Sequence, residues 1–81
     1  MTEQQMVRRI KRRLTEEPVV IGDVLGPMYV AFTYGPDKFV ATWYKRRISV
    51  CRVLEKDGHD HASYDWWSED IATKLNAKTL A

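Results

Sequence analysis

Residues 28–54, MYVAFTYGPDKFVATWYKRRISVCRVL, decide the fold. They hold six of the nine aromatic residues and most of the β-branched ones, in runs whose length suits strands. Met28, Val30, Phe32 and Tyr34 alternate with Tyr29, Ala31 and Thr33, so the first set is expected to face a core. Gly35-Pro36-Asp37-Lys38 reads as a turn, because proline presets its own backbone and aspartate suits the third position of a type I turn. Phe39 to Tyr44 carries bulky residues on both faces, the pattern of a central strand covered at least partly on each side. Lys45-Arg46-Arg47 breaks the alternation without a glycine and reads as a tight loop, after which Ile48 to Leu54 forms a third strand with Arg52 directed outward.

Upstream, the spacing predicts a helix from about Glu3 to Leu14. Thr2 and Gln5 stand at capping-box spacing, and Met6, Val7, Ile10 and Leu14 fall on one stripe at helical period. Pro18 disfavours helix at Glu17, which ends the element near Thr15. Val19 to Ile21 is a short β-prone run, and turn signals at Gly22-Asp23 and Gly26-Pro27 leave room only for a short strand or an irregular approach to the sheet. Downstream, Asp57-Gly58 is a hairpin signal. A short fourth strand near His61 to Tyr64 follows it, in a segment of poor strand character. A last helix is expected from about Trp66 to Ala77, with Asp65 and Ser68 as competing N-caps and Trp67, Ile71 and Leu75 as its inward stripe. The expectation is therefore an α+β domain over residues 1–81: a three- to four-stranded antiparallel meander flanked by an N-terminal and a C-terminal helix.

Eighty-one residues bury only about 60% of their unfolded surface, enough for one small core, and no internal ligand cavity or small-molecule substrate is expected. The single Cys51 forms no internal disulfide and fits a reducing compartment; it reads as a small packed hydrophobe rather than a nucleophile. The longest apolar run is far short of a membrane span and the arginine-rich start is not a secretory signal, so a cytoplasmic protein without membrane contact is expected. His59, Asp60 and His61, with Asp57 and Asp65, are possible metal ligands. Ligand spacing of a known site is missing, so a solvated loop is the reading and neither metal nor cofactor is expected. The glycines are too scattered for a phosphate loop, and the carboxylates near Asp70 are explained by a helix start; no enzyme is expected.

A net charge of +2 conceals strong segregation. Residues 1–14 carry +4, 15–44 carry −3, 45–56 carry +4, 57–70 carry −5 and 71–81 carry +2. These blocks either build one basic and one acidic face or neutralise each other. The plainer reading of VRRIKRRL is the solvated face of an amphipathic helix; the sharper one is contact with nucleic acid phosphate or an acidic protein surface, because five cations in six residues exceed what solubility requires. The candidate nucleic-acid contacts are Arg8, Arg9, Lys11, Arg12, Arg13, Lys45, Arg46 and Arg47. Tyr64, Trp66, Glu69 and Asp70 combine aromatic and acidic character and are the candidate protein contacts, with burial of the aromatics as the plainer reading. Stacking of Trp43, Tyr29 or Tyr44 on bases is a further reading, although the strands lack the consensus of an RNA-recognition motif.

No family motif is matched. In size, basic start and lack of catalytic residues the chain resembles the small regulatory proteins of bacteriophages and mobile elements, such as corepressors and host-machinery inhibitors. That resemblance implies a modulator engaging a DNA-bound transcriptional regulator and adding basic phosphate contacts. The alternatives are a direct nucleic-acid binder and an inhibitor that masks a nucleic-acid-binding enzyme.

Overall fold

A computed structural model of the chain describes residues 1–24 and 28–78, without the side chains of residues 55, 56 and 60–66. The order is α1 (Glu3–Arg13), β1 (Val19–Val24), β2 (Tyr29–Tyr34), β3 (Asp37–Tyr44), β4 (Arg47–Lys56), β5 (His59–Trp67) and α2 (Glu69–Asn76). All neighbouring strands pair antiparallel in one sheet of order β1-β2-β3-β4-β5. The α+β meander with a helix at each end is thus present, widened to five strands. The expected Gly26-Pro27 turn lies outside the described residues.

Helix α1 forms for the local reasons its sequence offers. The Gln5 amide donates to Thr2 Oγ1 at 3.1 Å and the Thr2 amide donates to Gln5 Oε1 at 2.8 Å, which closes the capping box. Met6, Ile10 and Leu14 are buried and Val7 packs beside them. They meet Val30, Phe32 and Tyr34 of β2, Phe39 and Ala41 of β3, Ile48 and Val50 of β4, and Ile71, Ala72 and Leu75 of α2 in one cluster. Both helices therefore cover the same face of the sheet. Phe32 and Phe39 stand opposite each other in the ladder with stacked rings 5.6 Å apart. The other face, which carries Val20, Tyr29, Ala31, Val40, Thr42 and Tyr44, has no helix on it among the described residues.

Three two-residue turns set the register. At Gly35-Pro36, Tyr34 pairs with Asp37 and glycine takes φ +61° at the first central position, the order of a type II′ turn; Asp37 thereby begins β3. Asp57-Gly58 has both residues at positive φ, as the hairpin signal predicts. Lys45 and Arg46 also have positive φ, 51° and 61°, with Tyr44 paired to Arg47. This is the I′ conformation without glycine, at a cost of about 1–2 kcal/mol per L-residue.

The chain end departs from expectation. β5 runs to Trp67, so Trp66 and Trp67 belong to a strand and α2 begins only at Glu69. The cause is non-local: Trp67 pairs with Cys51 and the Ser68 amide donates to the Val50 carbonyl at 2.9 Å, which keeps the ladder intact up to the N-cap of α2. Between Val53↔Ala62 and Cys51↔Trp67, β4 advances two residues and β5 five, an irregularity of three extra residues that bends the strand. Trp67 is 45% exposed, and the inward stripe of α2 is Ile71, Ala72 and Leu75.

Candidate basic groove

The capping box and the buried stripe fix which way α1 faces. With Met6, Ile10 and Leu14 turned to the sheet, Arg8, Lys11 and Arg12 are exposed. Arg8, Arg9 and Arg12 line one side of an open groove of about 680 Å³; Met1 and Gln5 line it further along the helix, and Trp43 of β3 closes it from the sheet. No carboxylate is among these lining residues. Trp43 stands opposite Ile48 at the margin of the core and is only partly buried, unlike Phe39 and Ala41 earlier on the same strand.

The basic run divides into two jobs. Arg13 crosses to the end of α2, where its guanidinium donates to the carbonyls of Lys74 at 3.3 Å, Leu75 at 3.4 Å and Ala77. These are among the carbonyls a helix leaves unpaired at its C-terminus, and a cation there also suits the dipole. Burial, then the charges of Arg9 and Arg12, push the Arg13 pKa below its ordinary value, although a guanidinium remains charged. Arg9 shares this role with one donation to the Leu75 carbonyl at 3.4 Å. Arg8 donates only to the Gln4 carbonyl one turn back, at 3.4 Å. Among the described residues no ion pair or hydrogen bond engages Lys11 or Arg12. The groove therefore carries three of the five cations of the run, Arg8, Arg9 and Arg12, with no carboxylate among its described lining residues.

The remaining basic candidates sit on the β3–β4 hairpin. Lys45 Nζ lies 5.4 Å from the centre of the Tyr44 ring, a cation–π contact at the surface. Arg46 occupies the turn tip, and Arg47 pairs with Glu69 at 3.6 Å between largely exposed side chains. Such a pair contributes little stability. Of the candidate protein contacts, Glu69 and Asp70 are exposed in the first turn of α2, while Tyr64 and Trp66 lie on β5 with side chains outside those described. The same holds for Asp60, His61 and Asp65; His59 is exposed beside the Asp57-Gly58 turn. Among the described residues no three His, Cys, Asp or Glu side chains could share a metal ion. Cys51 is buried, and burial pushes its thiol pKa up, away from thiolate chemistry. No described helix is long and apolar enough to cross a membrane.

Reading the sequence alone missed Gln5 and placed Trp43 only among possible stacking residues. Gln5 is assigned to a cap by its spacing, and its second position on the groove follows from the face that Met6 and Ile10 bury. Comparison with family models, curated proteins and solved structures returns no match.

Proposed function

We propose that this chain is a small non-enzymatic regulatory protein of the cytoplasm, a corepressor-type modulator that engages a DNA-bound transcriptional regulator and adds phosphate contacts of its own. The observation that carries the proposal is the gathering of Arg8, Arg9 and Arg12 along one groove with no carboxylate among its described lining residues. Phosphate affinity follows from such clustered, solvent-reachable guanidinium groups. Modulation, rather than independent site selection, is supported by the shape of α1. It has eleven residues, is held on the sheet by buried Met6 and Ile10 with Leu14 at its C-cap, and offers mainly cations, which attract the backbone without reading bases. Contact with the regulator is assigned to the face of the sheet without helices, where Tyr44 is 67% and Val20 63% exposed, and to the acidic start of α2. Aromatic anchors beside charged residues have the composition of protein-contact surfaces.

The test is fluorescence anisotropy with labelled DNA, using the isolated protein, a candidate repressor, and both together at two salt concentrations. The protein alone is expected to bind weakly and without sequence preference, with a log–log salt slope of about −4 from about four to five phosphates met by the groove arginines and the Lys45-Arg46 turn. Binding is expected to strengthen when the repressor already occupies the DNA, because linked weak sites gain through effective concentration. Tight sequence-selective binding by the protein alone would replace the modulator with a direct binder. Competition with DNA for the partner would replace it with a masking inhibitor.

A further inference from the structure

We infer that the groove between α1 and Trp43 binds an unpaired stretch of nucleic acid, with one base stacked on the Trp43 ring and the adjoining phosphates on Arg8 and Arg12. The inference rests on the phosphate reading above and adds the strand state of the nucleic acid.

Trp43 is the departure point. Phe39, Ala41 and Trp43 project to the same face of β3, but only the first two are enclosed by the helices; Trp43 packs against the cluster from its edge and turns its remaining surface to the groove. A groove built only to attract phosphate has no use for an aromatic wall. In a duplex both faces of every base are covered by neighbours, so a recessed ring meets nothing it can stack on. An unpaired base can turn into the groove, and a ring bordered by cations is the arrangement by which proteins hold single strands.

The neighbouring groups fit the same ligand. Gln5 uses its Oε1 to accept from the Thr2 amide, which leaves the two donors of its Nε2 for a base carbonyl or a phosphate oxygen. The cations beside the ring are the three of the helix, Arg8, Arg9 and Arg12, so a strand whose base lies on Trp43 has its phosphates within reach of α1. The groove volume of about 680 Å³ falls in the range of ligand clefts.

The test compares a labelled oligothymidylate of about 12 nucleotides, within the span of known strand-binding sites, with a duplex of equal length. Tighter binding of the single strand is expected. Trp43→Leu should weaken single-strand binding about tenfold while leaving duplex binding and the salt slope unchanged, as loss of one stacked base predicts. Trp43→Phe should retain most of the affinity. Photocrosslinking of the wild-type protein to an iodouracil-substituted strand should map to Trp43; a crosslink confined to other residues overturns the inference even if Trp43→Leu fails to fold. Equal binding of both strand states, or a folded Trp43→Leu protein that binds like wild type, also overturns it. In either of those cases persistent salt-dependent duplex binding leaves the phosphate reading standing, whereas absence of binding to both nucleic acids removes that reading as well.

Discussion

The carboxamide of Asn76 brackets the main chain of Ile48: the Ile48 amide donates to Asn76 Oδ1 at 2.8 Å, and Asn76 Nδ2 donates to the Ile48 carbonyl at 2.8 Å. Nδ2 also donates to the Ala72 carbonyl at 2.8 Å. β5 ends at Trp67, opposite Cys51, so among the described residues no strand lies beside the outer edge of β4 at Ile48. One side chain supplies the donor and the acceptor that a sixth ladder position would have supplied. Asn76→Ala leaves both main-chain groups of a fully buried residue unpaired and is expected to lower stability by about 1–3 kcal/mol. Asn76→Asp keeps the acceptor, loses the donor and should fall by a similar amount. Urea unfolding curves of the three proteins check this, and a midpoint unchanged in Asn76→Ala would refute it.

Helix packing on a single face makes two residues far apart in sequence equally important. Leu14 is 2% exposed and Ile71 7% exposed, within the same cluster. Leu14→Ala and Ile71→Ala should each destabilise by about 2–4 kcal/mol, as large-to-small core changes do. Thermal midpoints within a degree of wild type for both would contradict the shared core.

What was legible in the sequence follows the range of the interactions responsible. The Thr2–Gln5 cap and the Met6–Ile10–Leu14 stripe depend on residues three and four apart, and both are found where the spacing places them. The alternation of Val30, Phe32 and Tyr34 is equally local. β5 is different: HDHASYD lacks β-branched residues, and it is extended because β4 offers an edge, a fact no short window contains. Trp66 and Trp67 suit a strand or a helix, and the pairing of Trp67 with Cys51 decides between them. The groove was half legible. Its arginines stand out in VRRIKRRL, but their meeting with Trp43 requires the tertiary fold.

The Lys45-Arg46 turn sets stability against charge. Both residues hold positive φ, which Asn-Gly adopts readily and which Lys and Arg do not. Lys45→Asn/Arg46→Gly should raise the unfolding free energy by about 1–2 kcal/mol. It should also weaken nucleic-acid binding and reduce the salt slope by about one to two. Calorimetry and salt-dependent anisotropy on the same preparation measure the two effects; a variant that is more stable and binds as well as wild type would show that the cations at the tip make no contact.

Cys51 makes stability depend on alkaline pH. Its pKa is raised in the folded protein by burial, so the fold favours the protonated thiol. That contribution is complete below the unfolded-state pKa of about 8.5 and is lost as pH rises through the folded value. The difference in thermal midpoint between wild type and Cys51→Ala should be constant below about pH 8 and shrink above it. A difference that does not change with pH would contradict the assignment.

Arg12 and Arg13 are adjacent in sequence and are expected to fail in opposite ways. Arg13 donates to three carbonyls at the end of α2 from a position in which its Nε is buried without a partner, so its charge is spent inside the fold. Arg13→Ala should lower stability by about 1–2 kcal/mol, because the α2 carbonyls lose their donor, and should change the salt slope little once the protein is folded. Arg12 is exposed on the groove and makes no such contact among the described residues. Arg12→Ala should leave the thermal midpoint within a degree of wild type and reduce the salt slope by about one, the loss of one phosphate contact. Arg13→Lys keeps a positive charge but places it on a shorter, more strongly hydrated side chain than the guanidinium whose Nη1 meets the α2 carbonyls, so it should restore only part of the stability. Measuring midpoint and slope for each single variant separates the roles. If Arg12→Ala destabilises as much as Arg13→Ala, or if both reduce the slope equally, the division of labour along VRRIKRRL is wrong and the basic run acts as one undifferentiated charge.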